Sequence, residues 1–181
     1  MPRTIYLSAG HGGTDPGAVA LDGRTEAALA LKLRNDVTKL LVARGVSVKN
    51  DVDTAPLTDV LAWLAQAALP NDIAVELHFN SAGFNATGVE VIVPEVPSDF
   101  ESFTARELCV RIASALNLKN RGVKGEQATA RKRLGWMRTR CETVLIEVCF
   151  LSNKSDLDAF DTYYERLVAT LANTLTSLSK S

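Results

Sequence analysis

The chain has 181 residues, 46% hydrophobic and 23% charged, with 20 basic and 21 acidic side chains and a formal net charge of −1. That length suits one domain that can bury its core without help from disulfides or metal, and the composition is that of an ordinary globular protein. The near-neutral balance argues against nucleic acid as a partner, and no apolar run approaches the roughly 20 residues needed to insert into a membrane.

No repeat, low-complexity tract or long linker interrupts the chain, so residues 1–181 read as a single domain. The amino terminus, Met1-Pro2-Arg3-Thr4, runs into a strand pattern without an apolar leader, which predicts synthesis in the cytoplasm without a signal peptide. Residues 4–8 (T-I-Y-L-S) predict a short buried strand, ended by a Gly-rich turn over 10–17. Over 26–44, Leu29, Leu33, Val37, Leu40 and Leu41 share one helical face, and Gly45 is a stop. Val46-Ser47-Val48 alternates as a second strand, and residues 57–68 form an apolar helix ended by Pro70. Strands follow at 73–79 and 88–93, then a helix over 99–117. A strand near 134–138, a strongly apolar one at 143–149 and a final helix over 159–178 complete the order. Such alternation predicts an α/β fold, a mainly parallel sheet covered by helices on both faces. In sheets of this kind ligands collect beyond the carboxyl ends of the strands.

Three cysteines, Cys109, Cys141 and Cys149, lie in apolar stretches without C-x-x-C spacing, which reads as buried free thiols rather than disulfides or a cysteine metal site. A nucleophilic Cys149 is the sharper alternative. The basic cluster Arg131, Lys132, Arg133, Arg138 and Arg140 reads as a solvated rim. The Gly-rich turn matches neither phosphate-binding pattern and no lysine follows it.

The residues that point to chemistry are few. The only two histidines are His11, after the first strand, and His78, near the end of the third. Both belong at the carboxyl end of the sheet, either as satisfied core side chains or as metal ligands. Glu26 heads the first long helix, where the helix dipole alone favours an acid. The loop from His11 can also fold back and bring Glu26 to the same place, and two imidazoles with one carboxylate are a known catalytic zinc set. Glu147 sits in V-L-I-E-V-C-F, apolar on both sides, where an ionised carboxylate is costly without a partner unless its side chain reaches water.

At these positions the chain resembles the amidase-3 family of zinc-dependent N-acetylmuramoyl-L-alanine amidases. The likeness is carried by the loop Gly10 to Ala18, by Glu26, by H-F-N-S-A over 78–82, by G-V-E-V from Gly88, by R-G-V-K from Arg121 and by I-E-V-C-F-L-S-N over 146–153. It spans the first strand to the last helix. It departs from the family in S-A-G-H over 8–11, in Cys149 where glycine is usual, and in K-N-D-V-D where an arginine often follows the second strand. The resemblance implies a twisted six-stranded sheet, one zinc ion on His11, Glu26 and His78, and Glu147 as the catalytic carboxylate. It further implies peptidoglycan as the partner, with the chain, taken as a monomer, cutting the lactyl–L-alanine amide. A single domain without a leader reads as a phage endolysin-like enzyme that reaches the cell wall after release, or else as a bacterial enzyme with unusual export or the catalytic domain of a longer autolysin. The alternatives are a non-catalytic peptidoglycan-binding module and a zinc carboxypeptidase-like peptidase. Glu26, at a helix end, is expected to move more than His78, which a strand holds, so that His78→Ala should weaken zinc binding more than Glu26→Ala.

Overall fold

A computed structural model describes residues 2–181, and Met1 lies outside the described residues. Six strands, β1 (Ile5–Ala9), β2 (Val48–Asn50), β3 (Ile73–Asn80), β4 (Val89–Val93), β5 (Asn120–Gly125) and β6 (Glu142–Phe150), form one sheet in the order β2-β1-β3-β6-β4-β5. Every neighbouring pair is parallel except β4 with β6. The helices are α1 (Glu26–Ala43), α2 (Leu57–Ala67), α3 (Asp99–Leu116), α4 (Lys154–Thr162) and α5 (Tyr164–Leu178). This is the α/β architecture that the alternation predicts.

Two expected elements differ. The segment near 134–138 is a 3-10 turn, Gly135–Arg138, not a strand. Its apolar look comes from Trp136 and Met137, which are buried as plugs, and the Trp136 indole N–H donates to the Val144 carbonyl (3.1 Å). The remaining strand is β5, whose sequence N-R-G-V-K-G has too few apolar residues to announce itself. It lies at the sheet edge, where only one flank is paired. The last helix is two helices, broken at Tyr163 (φ −109°, ψ 17°). The first begins earlier than expected because the Asn153 side chain caps it, accepting from the Ser155 and Asp156 amides.

Side-chain alternation sorts the two faces of the sheet. On one, Ile5, Leu7, Val75, Leu77, Val91 and Ile146 pack into a large core with α1, α3, α4 and α5. On the other, Tyr6, Ala74, Ile92 and Leu145 meet a thinner cover: Val60 and Leu64 of α2, with Trp136 and Met137. Helices therefore lie on both faces, but unequally. Next along the same strands on the thinly covered face come Ser8, Glu76, His78, Glu90 and Glu147, which line a cavity of about 860 Å³.

Buried polar ties fix the loops around this face. Asp156 of α4 is fully buried, and its Oδ2 accepts from the Gly88 (3.0 Å) and Phe150 (2.9 Å) amides while Oδ1 accepts from the Thr87 hydroxyl (2.5 Å). One carboxylate thus joins the entry to β4, the exit of β6 and the head of α4. The loop after β2, where the family's arginine is replaced, receives a guanidinium from α1: Arg34, itself buried, donates to Asp51 (2.8 Å) and Asp53.

Candidate metal and catalytic site

The loop between β1 and α1 turns back on itself through left-handed backbone. His11 adopts φ 64°, uncommon for a residue with a side chain, and Gly17 adopts φ 63°. A Cβ at Gly17 would stand 2.6 Å from Glu26 Oε2 and 2.7 Å from His11 Cδ2, so only glycine lets these two side chains meet. A Cβ at Gly10 would collide with the His78 ring. The Gly-rich turn is thus shaped by how closely the chain passes its own histidines, not by a phosphate.

Glu26, His11 and His78 converge. Their potential ligand atoms lie within 4.8 Å of one another, and the two imidazole rings meet edge to face with centroids 5.1 Å apart. Glu26 Oε1 faces His78 Nδ1 (2.9 Å) and accepts from the Phe79 amide (2.9 Å). Oε2 faces His11 Nε2 (3.2 Å) and accepts from the Ala18 amide (3.0 Å). Glu26 is only 3% exposed and each oxygen has its own backbone donor. The expectation that it moves with a loose helix end is therefore corrected: this carboxylate is pinned to the strand that carries His78.

Each imidazole is also held from behind. His11 Nδ1 lies 2.8 Å from Asp15 Oδ2, and Asp15 Oδ1 accepts from the Gly17 amide (3.0 Å). His78 Nε2 lies 3.3 Å from Glu76 Oε2, two residues earlier on the same face of β3. Sequence reading missed both carboxylates. The signal was available, since Asp15 is four residues from His11 in the same turn, and a strand with period two places Glu76 beside His78.

These contacts set the charges. Burial pushes the Glu26 carboxyl up, but hydrogen bonds to His11 and His78, the His78 charge and the Ala18 amide outweigh it and hold the group well below the usual carboxylate range. His11 is raised, first by its hydrogen bond to Glu26. For His78 burial opposes the charge, yet Glu76 and Glu26 raise it well above its ordinary value.

Glu147 is the neighbour of His78 across the β3–β6 ladder, and Glu90 is the neighbour of Glu147 across β6–β4. Three side chains therefore form a row across the sheet face. Glu147 Oε2 is closed off from solvent and has no hydrogen-bond partner among the described residues. Burial pushes its carboxyl up to about 7; the His78 charge opposes this, while Glu26, Glu90 and Glu76 add to it. Glu90 is different. It accepts from Arg121 Nε (2.6 Å), Lys124 Nζ (2.6 Å) and Asn80 Nδ2 (2.9 Å), so its charge is balanced. The four residues singled out from sequence thus line one cavity, together with the missed Asp15, Glu76 and Glu90.

The cysteines are buried and free. Burial, with the Asp156 and Asp161 charges, pushes the Cys149 thiol well above its ordinary value, which disfavours the nucleophilic alternative. Among the described residues no helix is long and apolar enough to cross a membrane.

Known proteins agree with this architecture. A crystal structure of an N-acetylmuramoyl-L-alanine amidase from Clostridium difficile 630 superposes with a TM-score of 0.82 over 99% of this chain and 98% of that one, at 24% identity, a likeness of fold. The YqiI protein of Bacillus subtilis (strain 168) is 29% identical over 97% of this chain and 84% of its own length. The endolysin of Bacillus phage SPP1 is 28% identical over 86% of this chain, which spans 58% of that protein. The sequence model of the N-acetylmuramoyl-L-alanine amidases of the amidase-3 type matches residues 5–177, nearly the whole length, and the chain belongs to that family.

Proposed function

We propose that this chain is one catalytic domain that hydrolyses the amide between the lactyl group of N-acetylmuramic acid and the L-alanine of the peptidoglycan stem, using one zinc ion. The observation that carries the reading is the convergence of His11, Glu26 and His78 in one cavity with the unpartnered Glu147 beside them. The donor set fits zinc, since two imidazoles and a carboxylate leave a position open for chemistry. The fit extends outward: each imidazole has its second nitrogen engaged by a carboxylate, Asp15 or Glu76, the usual support of a metal-ligating histidine. His11, Glu26 and His78 would hold the ion. Zinc held there would supply Lewis-acid chemistry for polarising an amide carbonyl and acidifying water.

The remaining work falls to the chain's own side chains. A carboxyl that burial pushes up to about 7, as it does that of Glu147, is suited to take the proton of the attacking water and to return it to the departing L-alanine amine. Asp15 and Glu76 keep the imidazoles turned towards Glu26. Glu90 carries its own cations and leaves Glu147 as the one carboxylate of the row free to exchange a proton. The likeness to a phage endolysin supports action on the cell wall.

Mass spectrometry of purified peptidoglycan after incubation tests the reading. New stem peptides with free L-alanine amino termini are expected, and they should disappear when a chelator strips zinc. Glu147→Gln should keep the metal and lose the products. Intact stems with wild-type protein and added zinc would leave the binding-module alternative in its place.

A further inference from the structure

The basic cluster at 131–140 divides into two kinds of residue. Arg138 is held by Glu126, and Arg140 donates to the Ala65 carbonyl (3.0 Å). Arg131, Lys132 and Arg133 make no ion pair among the described residues. All three are exposed on one tight turn, but they face differently. Arg131 and Arg133 line the cavity that holds His11, Glu26, His78 and Glu147, and Lys132 does not.

The turn is braced for presentation. Glu126 is fully buried at its foot, and its two carboxylate oxygens accept from the Leu134 amide (2.7 Å) and from Arg138. The Thr129 hydroxyl donates to the Glu126 carbonyl (2.7 Å) and accepts from the Lys132 amide (3.2 Å). Lys132 takes φ 57°, and the Arg133 amide closes onto the Arg131 carbonyl (2.7 Å). Left-handed backbone at the middle residue sends the outer two side chains one way and Lys132 another.

We propose that Arg131 and Arg133 form a carboxylate-binding subsite that receives the stem peptide on the amine side of the scissile bond. This rests on the amidase reading of the same cavity. The sugar carries only hydroxyl and acetamido groups, and its lactyl carboxyl is tied up in the amide. The negative charges of the substrate therefore belong to the peptide, first the free α-carboxylate of the γ-linked D-glutamate that follows L-alanine. Two unpaired guanidiniums match that group, because arginine binds carboxylates through paired, charge-assisted hydrogen bonds. An isoglutamine stem, with that carboxylate amidated, loses the match.

The test compares binding, by calorimetry, of N-acetylmuramoyl-L-alanyl-γ-D-glutamyl-L-lysinamide and its D-isoglutaminyl counterpart, in both of which the γ-carboxyl is tied up in the next peptide bond, to the zinc-loaded Glu147→Gln protein. The acid is expected to bind at least about tenfold more tightly, given what a hydrogen bond to a charged group contributes. Adding Arg131→Gln and Arg133→Gln should erase the preference, whereas adding Lys132→Gln should leave the preference intact. Equal affinity for the two ligands in the parent protein overturns the proposal. So does a Lys132→Gln effect as large as that of the arginine pair, since bulk charge would then account for it. Binding is read without turnover. A wild-type protein that shows the preference yet cuts neither ligand therefore counts against the amidase reading and in favour of the subsite.

Discussion

Asp156 allows a stability prediction to be worked from its contacts. Its carboxylate takes two buried backbone amides, Gly88 and Phe150, and one hydroxyl, Thr87. In Asp156→Ala the hydroxyl can turn elsewhere, but the two amides lose their acceptor in a place without water. At about 2 kcal/mol for each such bond to a charged acceptor, the loss is about 4 kcal/mol. A domain of this length shifts by about 2–4 °C per kcal/mol, so the melting temperature should drop by about 8–16 °C. Asp156→Asn keeps one oxygen for the two amides and presents its NH2 to the Thr87 hydroxyl, which can accept. It loses charge assistance only, about 1 kcal/mol. Differential scanning calorimetry of the two variants separates them. Equal losses would refute the reasoning, because acceptor geometry would then be irrelevant, and so would an alanine variant that melts within a degree or two of the parent.

The site and its surroundings carry further expectations. Glu90 has a folded value below its ordinary 4.5, because Arg121 and Lys124 outweigh burial, so its contribution is complete above that pH and fades as pH falls through the folded value. Glu90→Gln should therefore cost about 2 kcal/mol at pH 7, discounted for the partial exposure of both cations, with a gap to wild type that narrows as pH falls through the folded value; a constant gap in melting curves across pH would contradict this. Gly17→Ala combines a left-handed φ with a Cβ 2.6 Å from Glu26 Oε2, and should weaken zinc binding at least tenfold by titration while the fold, read by circular dichroism, persists. Glu26→Ala removes a carboxylate with two backbone donors and should weaken zinc binding at least as much as His78→Ala; a clearly milder Glu26 variant would restore the picture of a mobile helix end. Stripping zinc should lower the melting temperature without unfolding the chain, since the main core stands apart from the site, and an unfolded metal-free protein by circular dichroism would refute that separation.

Much of this architecture was legible because strand period and apolar content coincide. Ile73, Val75, Leu77 and Phe79 mark one face of β3, which leaves Glu76, His78 and Asn80 together on the other. Glu147 stood out because nothing in its strand could satisfy it. What escaped had weaker local signals. β5 is held by pairing to β4 on one side and carries little hydrophobic pattern of its own. Trp136 and Met137 imitate a strand while plugging the thinly covered face. Asp15 and Glu76 read as ordinary polar residues until the fold sets them behind the histidines. Beyond the nearby Ala18 amide, the grip on Glu26 comes from the Phe79 amide, 53 positions away, which no local pattern reveals.

The strand order also has a consequence for how the molecule is made. β6, the last strand in the chain, lies between β3 and β4, so the sheet is two separate pieces until residues 142–150 arrive. A nascent chain leaves the ribosome with β1 to β3 and β4 with β5 already synthesised and nothing to bridge them. The bridging strand is also the one that bears Glu147. Completion of the sheet and delivery of that carboxylate are therefore a single event, and a chain interrupted before residue 142 has all three residues of the His–Glu–His cluster but neither a continuous sheet nor the group beside them.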